Sequence, residues 1–80
     1  MNLVDLATFL VKGLIKDTEN LSINEINNEN ETILQILVSN DDIGSVIGKN
    51  GNIANAIRTI IQASAYANKL GKIRINIDSK

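Results

Sequence analysis

A chain of 80 residues with no cysteine and no histidine has room for one domain, and it lacks the side chains that most often hold zinc or an iron–sulfur cluster or form a disulfide. Its net charge of −1 conceals an asymmetry: residues 1–40 carry two lysines against six acids (−4), whereas residues 41–80 carry six cations against three aspartates (+3). An anionic partner is therefore expected on the second half alone, and a reducing, cytoplasmic setting fits the absence of cysteine.

Leu3, Leu6, Ala7, Leu10, Val11 and Leu14 recur at helical spacing with Asp5, Lys12 and Lys16 opposite, which predicts an amphipathic helix. Asp5 and Lys12 interrupt its apolarity and no small-residue cleavage site follows, so the stretch 1–15 is not read as a signal peptide. No apolar run reaches the roughly 20 residues that cross a bilayer. Phe9 falls on the polar side, where it either caps the edge of the core or anchors a partner.

Next, Leu21 to Ile23, the polar cluster Asn27-Asn28-Glu29-Asn30-Glu31 and the branched run Thr32 to Ser39 together signal a hairpin. In its second strand Leu34, Ile36 and Val38 share one face and are expected in the core, leaving Ile33, Gln35, Leu37 and Ser39 on the other. Asn40-Asp41-Asp42 supplies the N-cap and first-turn residues of a short helix ending at Ile47, a helix-start role rather than a catalytic one. Beyond Gly51 a long helix is predicted to about Lys69, burying Ile53, Ile57, Ile60, Ile61 and Ser64, with Asn55, Arg58, Gln62 and Lys69 outward and Gly71 as a left-handed cap. Strict alternation from Lys72 to Asp78 marks a final strand with one buried face. The predicted class is α+β, in the order helix, strand, strand, helix, helix, strand, as one domain over residues 1–80. A domain this small buries only about 60–65% of the surface of its unfolded chain, so self-association would help it.

Between the two later helices lies Ile47-Gly48-Lys49-Asn50-Gly51. Two glycines flanking two polar residues let the backbone turn tightly and let another backbone come close. The loop also leads into a helix N-terminus, whose unpaired N–H groups attract a phosphate, and Lys49 adds a cation at that point. Other glycine-loop chemistries fail on spacing. Gly44 and Gly48 are too close for a Walker A loop and Asn50 follows Lys49, while the first glycine pair of a dinucleotide fingerprint is missing.

The run Ile43-Gly44-Ser45-Val46-Ile47-Gly48-Lys49-Asn50-Gly51-Asn52-Ile53-Ala54-Asn55-Ala56-Ile57-Arg58 resembles the KH signature. Element order resembles the bacterial, type II arrangement, and the whole chain is similar to the small stand-alone KH proteins of the KhpA family. The resemblance implies a type II KH domain whose three-stranded sheet carries its helices on one face. It also implies a cleft for about four nucleotides of single-stranded RNA. The residues it nominates for nucleic-acid binding are Ile47, Gly48, Lys49, Asn50, Gly51, Asn52 and Arg58, with Val46 and Ile53 as a further apolar wall. A homodimer, or a heterodimer with a second, KhpB-like KH protein, is the implied assembly, and a post-transcriptional regulator or RNA chaperone the implied role. No cofactor, metal or membrane enters. The sequence departs from its relatives in carrying neutral Asn50, Asn52 and Asn55 where more Lys or Arg is usual, which predicts modest affinity and loose sequence preference.

Three classes of function are weighed. An RNA-binding module is favoured by the loop, and a protein-interaction module that keeps the fold is favoured by the acidic first half with Phe9, Ile33 and Leu37. An enzyme is disfavoured, since no His, Cys or paired carboxylates beside the cleft supply a nucleophile or tuned base. The scarcity of aromatics, one Phe and one Tyr, also speaks against an RRM sheet that stacks bases on aromatic rings.

Overall fold

Helix α1 spans Leu3–Lys12 and is capped by Asn2, whose side-chain oxygen accepts from the Asp5 N–H at 2.7 Å. The computed structural model describes residues 2–80; Met1, part of the N-terminal stretch read above, lies outside the described residues. Leu3, Ala7 and Val11 of α1 are buried, and Leu6, Leu10 and Leu14 pack partly against them, as their spacing predicts. The helix ends earlier than a periodicity through Lys16 implies. Gly13, a weak helix former, takes the cap position, and the N–H groups of Lys16 and Asp17 point instead to the carboxylate of Asp42, at 3.0 and 2.9 Å. Phe9 is 71% exposed, which removes the reading of it as a cap on the core edge.

Strands β1 (Ser22–Asn27) and β2 (Thr32–Val38) form the expected antiparallel hairpin, with Ile23 opposite Ile36 and Ile26 opposite Ile33. The last strand, β3 (Ile73–Ser79), lies parallel to β2 in the order β1-β2-β3. Alternation sends Leu34, Ile36 and Val38 to the helix-covered face, where all three are fully buried. Each contributes about 1.5–3 kcal/mol by leaving water. Ile26, Ile33 and Leu37 share the opposite, open face with Gln35 and Arg74.

The short helix α2 is Ile43–Ile47 and the long helix α3 is Asn52–Ala67. The buried stripe of α3 differs from the expected one: Ala54, Ile57, Ile61 and Ala65 face the core, whereas Ile53 and Ile60 are 36% and 45% exposed. Side-chain size explains the shift. α1 and α3 pack directly on one another with Ala7 and Ala65 in the shared core, and small residues allow that close approach where isoleucines would hold the helices apart. The α3 C-terminus is also closed differently. Lys69, not Gly71, is the left-handed residue of the stop, at φ +62°, with the Leu70 N–H donating to the Ala65 carbonyl and the Lys69 N–H to that of Tyr66. These two bonds define a Schellman motif. Gly71, at φ +75°, shapes the turn into β3 instead.

Candidate nucleic-acid interface

The segment Gly48–Gly51 joins α2 to α3 in a conformation that its residue types dictate. Gly48 lies at φ +74°, ψ 177°, a region essentially reserved for glycine. It is also crowded: a Cβ at Gly48 would meet Cγ1, Cδ1 and Cβ of Ile53 at 2.5, 2.8 and 2.9 Å. Gly51 is left-handed at φ +76°, ψ 11°, but a Cβ there would point into open space. Asn50, at φ 57°, ψ 22°, is left-handed too, a conformation that asparagine tolerates better than most residues. Its place in the loop is therefore partly a backbone requirement, which sequence reasoning did not see.

Hydrogen bonding leaves the loop tip open. The Gly51 N–H donates to the Gly48 carbonyl at 3.2 Å and the Asn52 N–H to the Lys49 carbonyl. No backbone or side-chain acceptor among the described residues takes the N–H of Lys49 or of Asn50. Lys49 and the left-handed Asn50 are the two central residues of the turn closed by the Gly51–Gly48 bond, so these two successive N–H groups lie at its exposed tip. Behind it, α3 begins without a side-chain cap, so its positive end is not neutralised by a carboxylate. Lys49, Asn50 and Asn52 are exposed, Gly48, Gly51 and Ile47 are half-buried, and Val46 is wholly in the core.

Arg58 sits on the flank of α3 that faces β3. Its Nε donates to the Ile75 carbonyl at 3.4 Å and its Nη1 to Asn55 Oδ1 at 3.3 Å. The guanidinium thus spans from helix to strand rather than pointing freely into solvent. Gln62, expected outward, is half-buried and pins the next turn of α3 to the same strand: its Nε2 donates to the Gly71 carbonyl at 3.0 Å and its Oε1 accepts from the Ile73 N–H at 3.1 Å. The Ile75 and Ile73 contacts fall on the outer edge of β3, which among the described residues pairs with no further strand, and Gly71 lies on the turn that leads into it. The loop, the Asn55–Arg58 flank of α3 and this edge together line one side of the molecule.

Asp42 holds the loop's foundation. It is 3% exposed and stands at the N-cap position of α2, as expected, but its carboxylate makes no cap bond there. Instead Oδ1 accepts from the Lys16 N–H, and Oδ2 from the Asp17 N–H and, at 3.0 Å, from the Ser39 hydroxyl. The Lys16 and Asp17 N–H groups hold its pKa below the ordinary 3.8, helped by Ser39 and the Lys16 charge and opposed by burial. One side chain therefore ties the α1–β1 connection to the helix that carries the glycine loop. Among the described residues, no cluster of His, Cys, Asp or Glu is placed to hold a metal, and no helix is long and apolar enough to cross a membrane.

An α-β-β-α-α-β chain with a mixed three-stranded sheet, helices on one face and a G-x-x-G loop between its second and third helices is a type II KH domain. The family model for the KhpA/KhpB KH domain matches residues 4–78. The RNA-binding protein KhpA of Borreliella burgdorferi is 42% identical over 64 residues, covering 80% of this chain and 78% of that protein. KhpA of Clostridium perfringens is 43% identical over 61 residues (76% and 81%), and KhpA of Aquifex aeolicus 34% identical over 70 residues (88% and 86%). The chain belongs to the KhpA/KhpB KH-domain family.

Proposed function

We propose that this protein binds single-stranded RNA, gripping the sugar–phosphate backbone of about four nucleotides at Gly48-Lys49-Asn50-Gly51. The observation that carries this reading is the loop tip itself: two N–H groups without an acceptor, at Lys49 and Asn50, beside an ammonium and an uncapped helix N-terminus. A phosphate oxygen placed there accepts both N–H groups and neutralises the Lys49 charge. Ile47 and Asn52 flank the grip, and Arg58 stands where the chain of nucleotides would pass β3. The relatives named as RNA-binding proteins agree with this chemistry. With so few cations near the loop, binding is modest and tolerant of sequence, which suits a cytoplasmic post-transcriptional regulator or RNA chaperone better than a selective reader of one site. Titration of short single-stranded RNA onto the intact and the altered loop tests it.

A second reading, compatible with the first, concerns assembly. Ile53, Ala56, Ile60, Ala63 and Ala67 of α3 are all exposed and recur at spacings of three, four, three and four, the a/d rhythm of a helix seam. Small residues alternating with isoleucine let a second helix approach closely. Pairing through this stripe, with a second copy or with another KH protein, is the assembly we favour, and sedimentation of an α3 variant tests it.

A further inference from the structure

A trough of about 480 Å³ runs between α3 and β3, lined by Arg58, Thr59, Gln62, Ala63, Tyr66, Ile73 and Ile75. Its volume falls in the range of ligand-binding clefts. The helix side of the trough is an unbroken row: Arg58, Thr59, Gln62, Ala63 and Tyr66 succeed one another every one to four residues along one flank of α3. That row starts at Arg58, which is seven residues beyond Gly51 and bonded to Asn55 in the first turn of α3, and its far end is Tyr66, eight residues beyond Arg58 or about 12 Å along the helix. Tyr66 is the only tyrosine of the chain and is 58% exposed, although it lines an apolar wall formed by Ala63, Ile73 and Ile75. No hydrogen bond holds its hydroxyl among the described residues. Among the described residues no acid lines the trough, Arg58 stands at its near end, and Lys69 and Lys72 stand on the turn that closes its far end.

We infer that Tyr66 is a stacking platform for a base beyond the nucleotides held by the loop, so that the RNA site extends along α3 toward Lys69 and Lys72. The inference rests on the loop reading above and deepens it. Arg58, bonded to Asn55 in the first turn beyond the loop, opens the trough, which then offers an apolar floor, the aromatic face of Tyr66 and the cationic turn of Lys69 and Lys72, the order in which a polyanion with flat π-faced bases would meet them on leaving the loop. Base–aromatic stacking is tolerant of sequence because every base has a π-face. Arg58 and Gln62 are already bonded to β3, so the wall on which the base would lie is preformed.

The chain has one tyrosine and no tryptophan, so its intrinsic emission reports on Tyr66 alone. Oligouridylates of about four and about eight nucleotides would be titrated onto the wild type, Tyr66→Phe, Tyr66→Ala and the double variant Lys49→Asp with Asn50→Asp, with folding checked by thermal melting. The longer RNA should quench the tyrosine emission and bind more tightly than the shorter. Tyr66→Ala should weaken binding of the longer RNA by about 5- to 150-fold and leave the shorter one unchanged, while Tyr66→Phe keeps the advantage. Equal binding of the longer RNA by wild type and Tyr66→Ala, with no quenching, overturns the stacking role and leaves the loop reading standing. Unchanged binding by the loop double variant strikes at the loop reading instead.

Discussion

The α-carbon of Gly48 lies against the side chain of Ile53, so close that a methyl group at position 48 would come within 2.5 Å of Cγ1. This contact joins the last residue before the loop tip to the first turn of α3, and it fixes the loop's exit direction from below. At Gly51 no such neighbour exists, so the two glycines of the motif serve different ends: one is needed for space and backbone, the other for backbone alone.

Gly48→Ala should therefore cost more stability than Gly51→Ala. We expect about 2–4 kcal/mol at Gly48, from a glycine-only conformation plus overpacking, and about 1–2 kcal/mol at Gly51, from left-handed strain alone. Parallel urea melts of the two variants check the order, and an equal or reversed cost would mean that Ile53 moves aside freely.

The acid limb of stability is expected to depend on Asp42. Its pKa is depressed in the folded state, so its contribution is fully present above the ordinary value of 3.8 and is lost as pH falls through the lower folded value. Asp42→Asn should melt at a lower temperature than the wild type at neutral pH, with the difference shrinking below about pH 4. Melting curves from pH 7 to pH 2.5 measure it; a difference independent of pH would deny the carboxylate its role as acceptor for Lys16 and Asp17.

RNA affinity should fall only gently with salt. If Lys49 and Arg58 are the two cations that meet phosphates, log affinity against log salt has a slope of about −1.4, from −0.7 per contact on a single strand. Anisotropy titrations at several salt concentrations give the slope. A value steeper than about −4 would enlist a wider cationic surface that includes Lys69, Lys72 and Arg74.

Self-association is expected to depend on the exposed stripe of α3. Ile60→Asp places a charge in the middle of that stripe at a residue 45% exposed, so folding stability should change by no more than about 0.5 kcal/mol while a dimer is lost. Sedimentation of both proteins, alone and with a candidate KH partner, decides. A wild type that stays monomeric in every mixture would end this reading.

Much of this architecture is legible in the residues because several signals agree. Leu34, Ile36 and Val38 alternate as a strand must, and the two glycines between two helical segments mark a tight turn that only the flanking run Ile43 to Arg58 makes specific. Hydropathy was misleading on α3. It ranks isoleucine above alanine, so Ile53 and Ile60 look like core, although the buried stripe runs through Ala54, Ile57, Ile61 and Ala65 and leaves both isoleucines beside it. Long-range bonds left no local mark either. Asp42 reads as an ordinary helix start, and only the fold brings Lys16 and Asp17 to its carboxylate. Gln62 likewise reads as an exposed polar residue until β3 is laid beside it. For the candidate site, spacing pointed to the loop but said nothing of the trough, since Tyr66, Ile73 and Ile75 converge only through the α3–β3 turn.

The central claim is that phosphate approaches the tip between Gly48 and Gly51, and the most direct measurement changes that tip alone. Lys49→Asp with Asn50→Asp replaces a cation and an amide by two carboxylates at exposed positions, where the cost to stability should stay within about 0.5 kcal/mol. Aspartate also tolerates the left-handed conformation required at position 50 and is favourable near the start of α3. Thermal melting beside titration of single-stranded RNA should show a folded protein that no longer binds. A folded variant with wild-type RNA affinity would contradict the clamp and shift the account toward a KH domain that works through protein contacts.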